Sequence, residues 1–142
     1  NTALVGANAA DPGGISNAGA AYVFTRSGGT WTQQAKLTAS DKAANDWFGF
    51  SVSLSSDGNT AVVGAYQADP GGISGAGAAY VFVRSGGTWT EQTKLTASDK
   101  AVGDWFGSSV SLSSDGNTAV VGAYIADPSG VFNAGAVYII VQ

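Results

Sequence analysis

The sequence predicts an all-β chain built of tandem four-stranded antiparallel sheets, about two and a half per chain. Three observations carry that reading: a repeat at an offset of 58 residues, strand-type alternation inside each unit, and turn chemistry between the alternating runs. Residues 1–58 return at 59–116 with ten substitutions, and the first 26 positions return again, more diverged, at 117–142. A period of this length marks an array whose units bury their faces against neighbours. The predicted organisation is a single repeat array over 1–142, divided into a half unit at 1–29 and whole units at 30–87 and 88–142.

Each unit carries four predicted strands. The first, 30–39, alternates and puts Trp31, Ala35 and Leu37 on one face, the period of a half-buried strand. The second, 48–56, does the same with Phe48, Phe50, Val52 and Leu54. The third, 60–66, is short and β-rich, and the fourth, 78–84, sets Tyr80 and Phe82 against Val81 and Val83. Asp57-Gly58 and Asp115-Gly116 read as two-residue hairpin turns, because both residue types tolerate positive φ. Ser27-Gly28-Gly29 and Ser85-Gly86-Gly87 join the next pair, and "ADPGGIS" at 68–74 reads as a longer loop. No segment carries a helical apolar period. Four short strands in a unit of this size suit the blade of a β-propeller, with Trp31, Trp47, Trp89 and Trp105 packing between blades.

Composition narrows the function. With 44% hydrophobic and 11% charged residues the chain folds. A net charge of −4 and a pI near 4.3 supply no basic stripe, which argues against nucleic-acid partners. No apolar run approaches the length of a membrane span. His and Cys are both absent, which removes Ser–His and Cys–His nucleophile pairs and disulfides.

Each unit also contains Phe-Gly (Phe48-Gly49, Phe106-Gly107), an alternating strand and turn, and then Gly-Ala-aromatic (Gly64-Ala65-Tyr66, Gly122-Ala123-Tyr124). This order resembles the FG-GAP repeat of integrin alpha-subunit propellers. It is closer still to a bacterial branch that carries "SGGTWTQQAKLTASD" between blades. The resemblance implies propeller blades in a secreted or surface protein, used for adhesion or ligand binding. Where that family often carries a calcium loop, this chain has Ser53, Ser55, Asp57 and Ala61, and again Ser111, Ser113, Asp115 and Ala119. One carboxylate is too few for a cation that wants six to eight oxygens, so the expectation is a plain hairpin and no cofactor.

Two blades and a half do not close a ring, since propellers use about four to eight. The missing strands are expected from further blades of a longer chain or from other copies of it, and "GAVYIIVQ" reads as an apolar edge strand suited to pairing. The expected role is a non-catalytic extracellular or cell-surface module for a protein or glycan ligand. The alternative is a structural subunit whose open ends pair between chains into a closed multimer or a fibre. Tyr66, Tyr124 and Gln67, which vary between copies near the strand ends, are the candidate ligand-binding residues. Asp41, Asn45 and Asp46 form an alternative oxygen-rich cation site, while Asp41 with Asp46, and their equivalents Asp99 with Asp104, are the paired acids that glycoside hydrolysis could use. Loop-shaping hydrogen bonds account for these acids more simply.

Overall fold

A computed structural model describes residues 1–141; Gln142, the last residue of the expected final strand and unit, lies outside them. The fold is all-β, and the described residues form ten strands in three antiparallel sheets. The first sheet is β1 (Thr2–Ala7), β2 (Ala20–Ser27) and β3 (Thr30–Leu37). The second is β4 (Ser51–Leu54), β5 (Thr60–Ala65), β6 (Ala78–Ser85) and β7 (Thr88–Leu95). The third is β8 (Ser109–Leu112), β9 (Thr118–Ala123) and β10 (Ala136–Val141). Each "ADP" loop holds a single 3-10 turn, at Pro12–Gly14, Pro70–Gly72 and Pro128–Gly130.

The sheets are phased one strand away from the grouping drawn on the sequence. The strand at 30–37 bonds to β2 of the preceding sheet, not to β4, so the unit boundary at Thr30 falls inside a hairpin. The reason is local. Ser27 pairs with Thr30 across Gly28 and Gly29, at φ 56° and 86°, and two consecutive positive φ values make the tight turn that suits strand twist. A loop of 13 residues, 38–50, separates β3 from β4 instead. Every repeat therefore donates its first strand to the sheet of the repeat before it.

Three finer expectations are also corrected. Asp57-Gly58 is not a two-residue turn: the Ser55 N–H reaches the Thr60 carbonyl at 2.9 Å, so four residues, 56–59, form the loop and Gly58 alone has positive φ. In β3 the alternation breaks, because Val23 faces Ala35 while Phe24 faces Gln33, leaving Gln34 as a bulge. The extra residue rotates the strand, so Trp31 points away from Ala35 and Leu37 and stays 49% exposed while Leu37 is 4% exposed. The second predicted strand starts only at Ser51. Phe48 is buried, Gly49 turns at φ 92°, and Phe50 emerges 48% exposed.

Two cores lie between the three sheets. The first joins Ala21, Val23 and Leu37 to Ala61, Val63, Tyr80 and Phe82, with Phe48 inserted between them. The second repeats the pattern with Val62, Ala79, Val81, Phe106, Val121 and Ala123. Tyr80 and Phe82 thus face one neighbour and Val81 the other, as the alternation requires. The sheets approach closely through β1, β4 and β8 and only slightly through β3 and β7, so they splay like the blades of a fan. Glycine permits the close side: a Cβ on Gly6 would overlap the carbonyl of Gly49, and one on Gly64 the carbonyl of Gly107.

Candidate functional site

The Phe-Gly segment that precedes each second strand is held before the strand begins. Asn45, Trp47 and Phe48 donate backbone N–H groups to the carbonyls of Ser16, Asn17 and Ala18, and Gly103, Trp105 and Phe106 do the same to Ser74, Gly75 and Ala76. Trp47 and Trp105 sit at φ 58° and 59°, a conformation that a bulky side chain adopts only where its surroundings fix it. The backbone ladder supplies that constraint, and it turns both indoles toward the ends of β5 and β9.

An aromatic row results. Trp47 meets Tyr66 edge-on at 5.8 Å, Tyr66 meets Trp105 at 5.2 Å, and Trp105 meets Tyr124 at 5.4 Å. Phe50 lies 4.4 Å from Tyr66. Such pairs contribute about 0.5–1.5 kcal/mol each beyond burial. Of the candidates named on sequence, Tyr66 is half-buried and bridges two units, whereas Tyr124 is 59% exposed. Gln67 is half-buried beside Gly75, which it shares as a neighbour with Trp105. Phe50, Trp47 and Trp105 complete the row. The signal that could have found them was the Trp-Phe-Gly spacing, which the alternation pattern obscured.

Asp41, Asn45 and Asp46 do not act together. Asp41 accepts from the Lys94 ammonium at 2.6 Å and the Tyr80 hydroxyl at 2.9 Å. Asn45 accepts from the Asn17 amide at 3.1 Å, and Asp46 accepts from the Ala43 N–H at 2.7 Å. Among the described residues no group of three or more metal-type side chains converges. Burial pushes the Asp41 carboxyl up, but the hydrogen bonds from Lys94 and Tyr80, with the lysine charge, outweigh it and leave it below the usual range. Burial wins at Asp46, whose carboxyl is raised. The same burial, reinforced by the bond to Asp41, raises the Tyr80 phenol, and Tyr138, bonded to Asp99, is pushed up to about 12.

Asp46 and Asp104 are both buried and both bind a backbone N–H three residues earlier, Ala43 and Ala101. Asp11, Asp69 and Asp127 each accept from a backbone N–H six residues on, at Asn17, Gly75 and Asn133. These are loop-forming bonds. In the loop that the resemblance associates with calcium, Asp57 accepts from the Ser55 hydroxyl at 2.6 Å and the Asn59 N–H at 2.9 Å, while the Ser55 oxygen caps Thr60 N–H. Asp115 repeats the arrangement with Ser113 and Asn117. These bonds hold both carboxyls below their ordinary value.

No helix among the described residues is long and apolar enough to cross a membrane. A search of curated proteins found no match. The family model for the FG-GAP repeat matches residues 31–82 and again 89–140. Those spans contain both Phe-Gly turns, the close-approach Gly64 of β5 with its equivalent Gly122 of β9, and the whole aromatic row. The chain belongs to the FG-GAP repeat family.

Proposed function

We propose that this repeat array is a non-catalytic extracellular or cell-surface recognition module, and that its ligand, a protein or a glycan, docks on the aromatic rim. One observation carries the reading: Trp47, Tyr66, Trp105 and Tyr124 form a continuous row with Phe50 and Tyr124 about half exposed. Aromatic side chains offer large, rigid, amphipathic contact area and are favoured at the centres of interfaces. Titration of the chain with a panel of neutral oligosaccharides and with immobilised surface proteins, followed by tryptophan fluorescence and surface binding, tests it. Binding that Tyr124→Ala and Phe50→Ala together abolish supports the rim; binding that survives both substitutions contradicts it.

A structural, self-assembling role is the second reading, favoured by a different observation. Val120, Val137, Ile139 and Val141 form an outward face on the third sheet, with Ile139 71% exposed, while its equivalent on the second sheet, Val81, is 1% exposed. Apolar surface of this kind is where another unit would pack. Sedimentation velocity distinguishes the two: a discrete monomer across concentration removes self-assembly, and a concentration-dependent oligomer supports it.

A further inference from the structure

The ten substitutions that separate residues 59–116 from residues 1–58 are not scattered. Five of the exchanged pairs, Asn8 and Tyr66, Ala9 and Gln67, Asn17 and Gly75, Asn45 and Gly103, Phe50 and Ser108, fall along the rim that carries the aromatic row. They make its two junctions unlike. Between the first and second sheets the Asn17 amide donates to Asn45 at 3.1 Å and ties two loops together. Between the second and third sheets both positions are glycine. The backbone there is unchanged, with Gly75 at φ 60° and Gly103 at φ 78° against 50° and 65° for Asn17 and Asn45. A Cβ on Gly103 would meet nothing within 4 Å, so this junction is open where the other is bridged.

Two polar groups border the opening. The Gln67 carboxamide oxygen and the Trp105 indole nitrogen stand 3.5 and 3.6 Å from where a Cβ on Gly75 would lie. Neither has a hydrogen-bond partner among the described residues, and neither is sealed from solvent. Beside them the Tyr66 ring lies 5.2 Å from Trp105 and 4.4 Å from the half-exposed Phe50. The ionised group bonded into this junction is Asp69, which accepts the Gly75 N–H at 2.7 Å. No lysine or arginine bonds to these residues among those described.

We infer that the opening over Gly75 and Gly103 binds a neutral glycan, a reading that rests on the rim as the recognition surface and names its ligand class. A sugar ring lays its C–H face on Phe50 and Tyr66, and its hydroxyls accept from the Trp105 indole and pair with the Gln67 carboxamide. Hydroxyls suit both groups because they donate and accept, whereas the indole only donates. An apolar partner would strip water from the two groups without replacing it. An anionic partner would meet the Asp69 carboxylate, and like charges at a contact are unfavourable. The first junction, with Asn8, Ala9 and the bonded asparagine pair in these places, lacks the site, so the expected stoichiometry is one glycan per chain.

The test uses the whole chain with neutral hexaoses of glucose, mannose and galactose, and hexagalacturonate as the charged counterpart. Titration calorimetry is expected to show one-to-one binding of a neutral hexaose and none of hexagalacturonate. In NMR the Trp105 indole N–H signal, assigned with Trp105→Phe, should shift on titration. Gln67→Ala, and separately Gly75→Asn with Gly103→Asn, should each weaken binding about threefold to tenfold. These variants install the residues that the first copy already carries, Ala9, Asn17 and Asn45, on the same backbone, and unchanged circular dichroism checks that they fold. Absence of binding by all three neutral hexaoses, equal binding of hexagalacturonate, or an unmoved Trp105 signal would overturn the inference. Neutral-glycan binding that Tyr124→Ala with Phe50→Ala abolishes, but that both of these variants leave intact, would keep the rim and overturn the site at Gly75 and Gly103.

Discussion

The Lys94 ammonium lies 2.6 Å from the Asp41 carboxylate, joining the outer strand of one sheet to the loop that leaves the sheet before it. The other oxygen of Asp41 accepts from Tyr80, a residue 1% exposed in the core between the two sheets. The contact therefore has a wet half and a dry half. Lys94→Met is expected to lower unfolding free energy by less than ~1 kcal/mol, since both partners of the ion pair are partly exposed. Tyr80→Phe is expected to cost about 1.5–3 kcal/mol, the usual range for a hydrogen bond to a charged acceptor. Urea denaturation of the two variants measures the difference, and equal losses would contradict this division.

The aromatic row makes an unequal prediction for its two tyrosines. Tyr66 pairs with the rings of Trp47, Phe50 and Trp105, while Tyr124 has Trp105 as its one aromatic partner among the described residues and is mostly exposed. Tyr66→Ala should destabilise by about 3 kcal/mol, near the low end for losing a large side chain. Tyr124→Ala should cost under ~1 kcal/mol. The same urea series reads both, and a larger loss at Tyr124 would refute the bridging role of Tyr66.

Glycines on the close side of the fan separate packing between units from packing within one. Gly64→Ala would drive a Cβ into the carbonyl of Gly107, which belongs to the next unit's backbone. The equivalent Gly122→Ala meets the Ser109 hydroxyl, which can rotate. The first should cost more than the roughly 1–3 kcal/mol of ordinary overpacking, and the second clearly less. Thermal unfolding of both variants decides, and similar melting temperatures would show that the sheets do not depend on this approach.

Much of this architecture was legible because the 58-residue period and the two-residue alternation survive in single residues. Tyr80 and Phe82 do face away from Val81, and all the strand regions exist. Sheet phasing was not legible from the period, since a repeat shows which residues are equivalent but not which neighbours share hydrogen bonds. The local clue was the pair Gly28-Gly29, a stronger hairpin signal than Asp57-Gly58 once two positive φ values are required. The bulge at Gln34 reversed Trp31, and no residue type there announces it. At the candidate site Tyr66 and Tyr124 were visible as positions that differ between copies. Their partners Trp47 and Trp105 owe their direction to positive φ, set by backbone bonds to Asn17 and Gly75 in a loop far back along the chain.

Acid stability should show two opposing contributions. Hydrogen bonds hold the Asp57 and Asp115 carboxyls below their ordinary value of 3.8. A depressed folded value stabilises above the unfolded pKa and is lost as pH falls through the folded one. The double variant Asp57→Asn with Asp115→Asn should therefore have a flatter stability curve below about pH 4. Asp46 is raised by burial, so its contribution is full below 3.8 and is lost as pH rises through the folded value. Asp46→Asn should keep the Ala43 bond and be at least as stable as the parent at neutral pH. Unfolding free energies measured from pH 2.5 to 7 check both signs: the first variant should lose stability near neutral pH and match the parent at the acid end, and a loss confined to the acid end would reverse the assignment.

The central claim is that each sheet gains its stability from a like sheet packed on its face, so the sheet covered on both sides should outlast the other two. Native-state hydrogen exchange measures this strand by strand. Amides of β5 and β6, around Val62, Val63 and Val81, should exchange most slowly, with β1 and β10 opening first and independently. Uniform protection across the three sheets, or slowest exchange in β1 or β10, would contradict it.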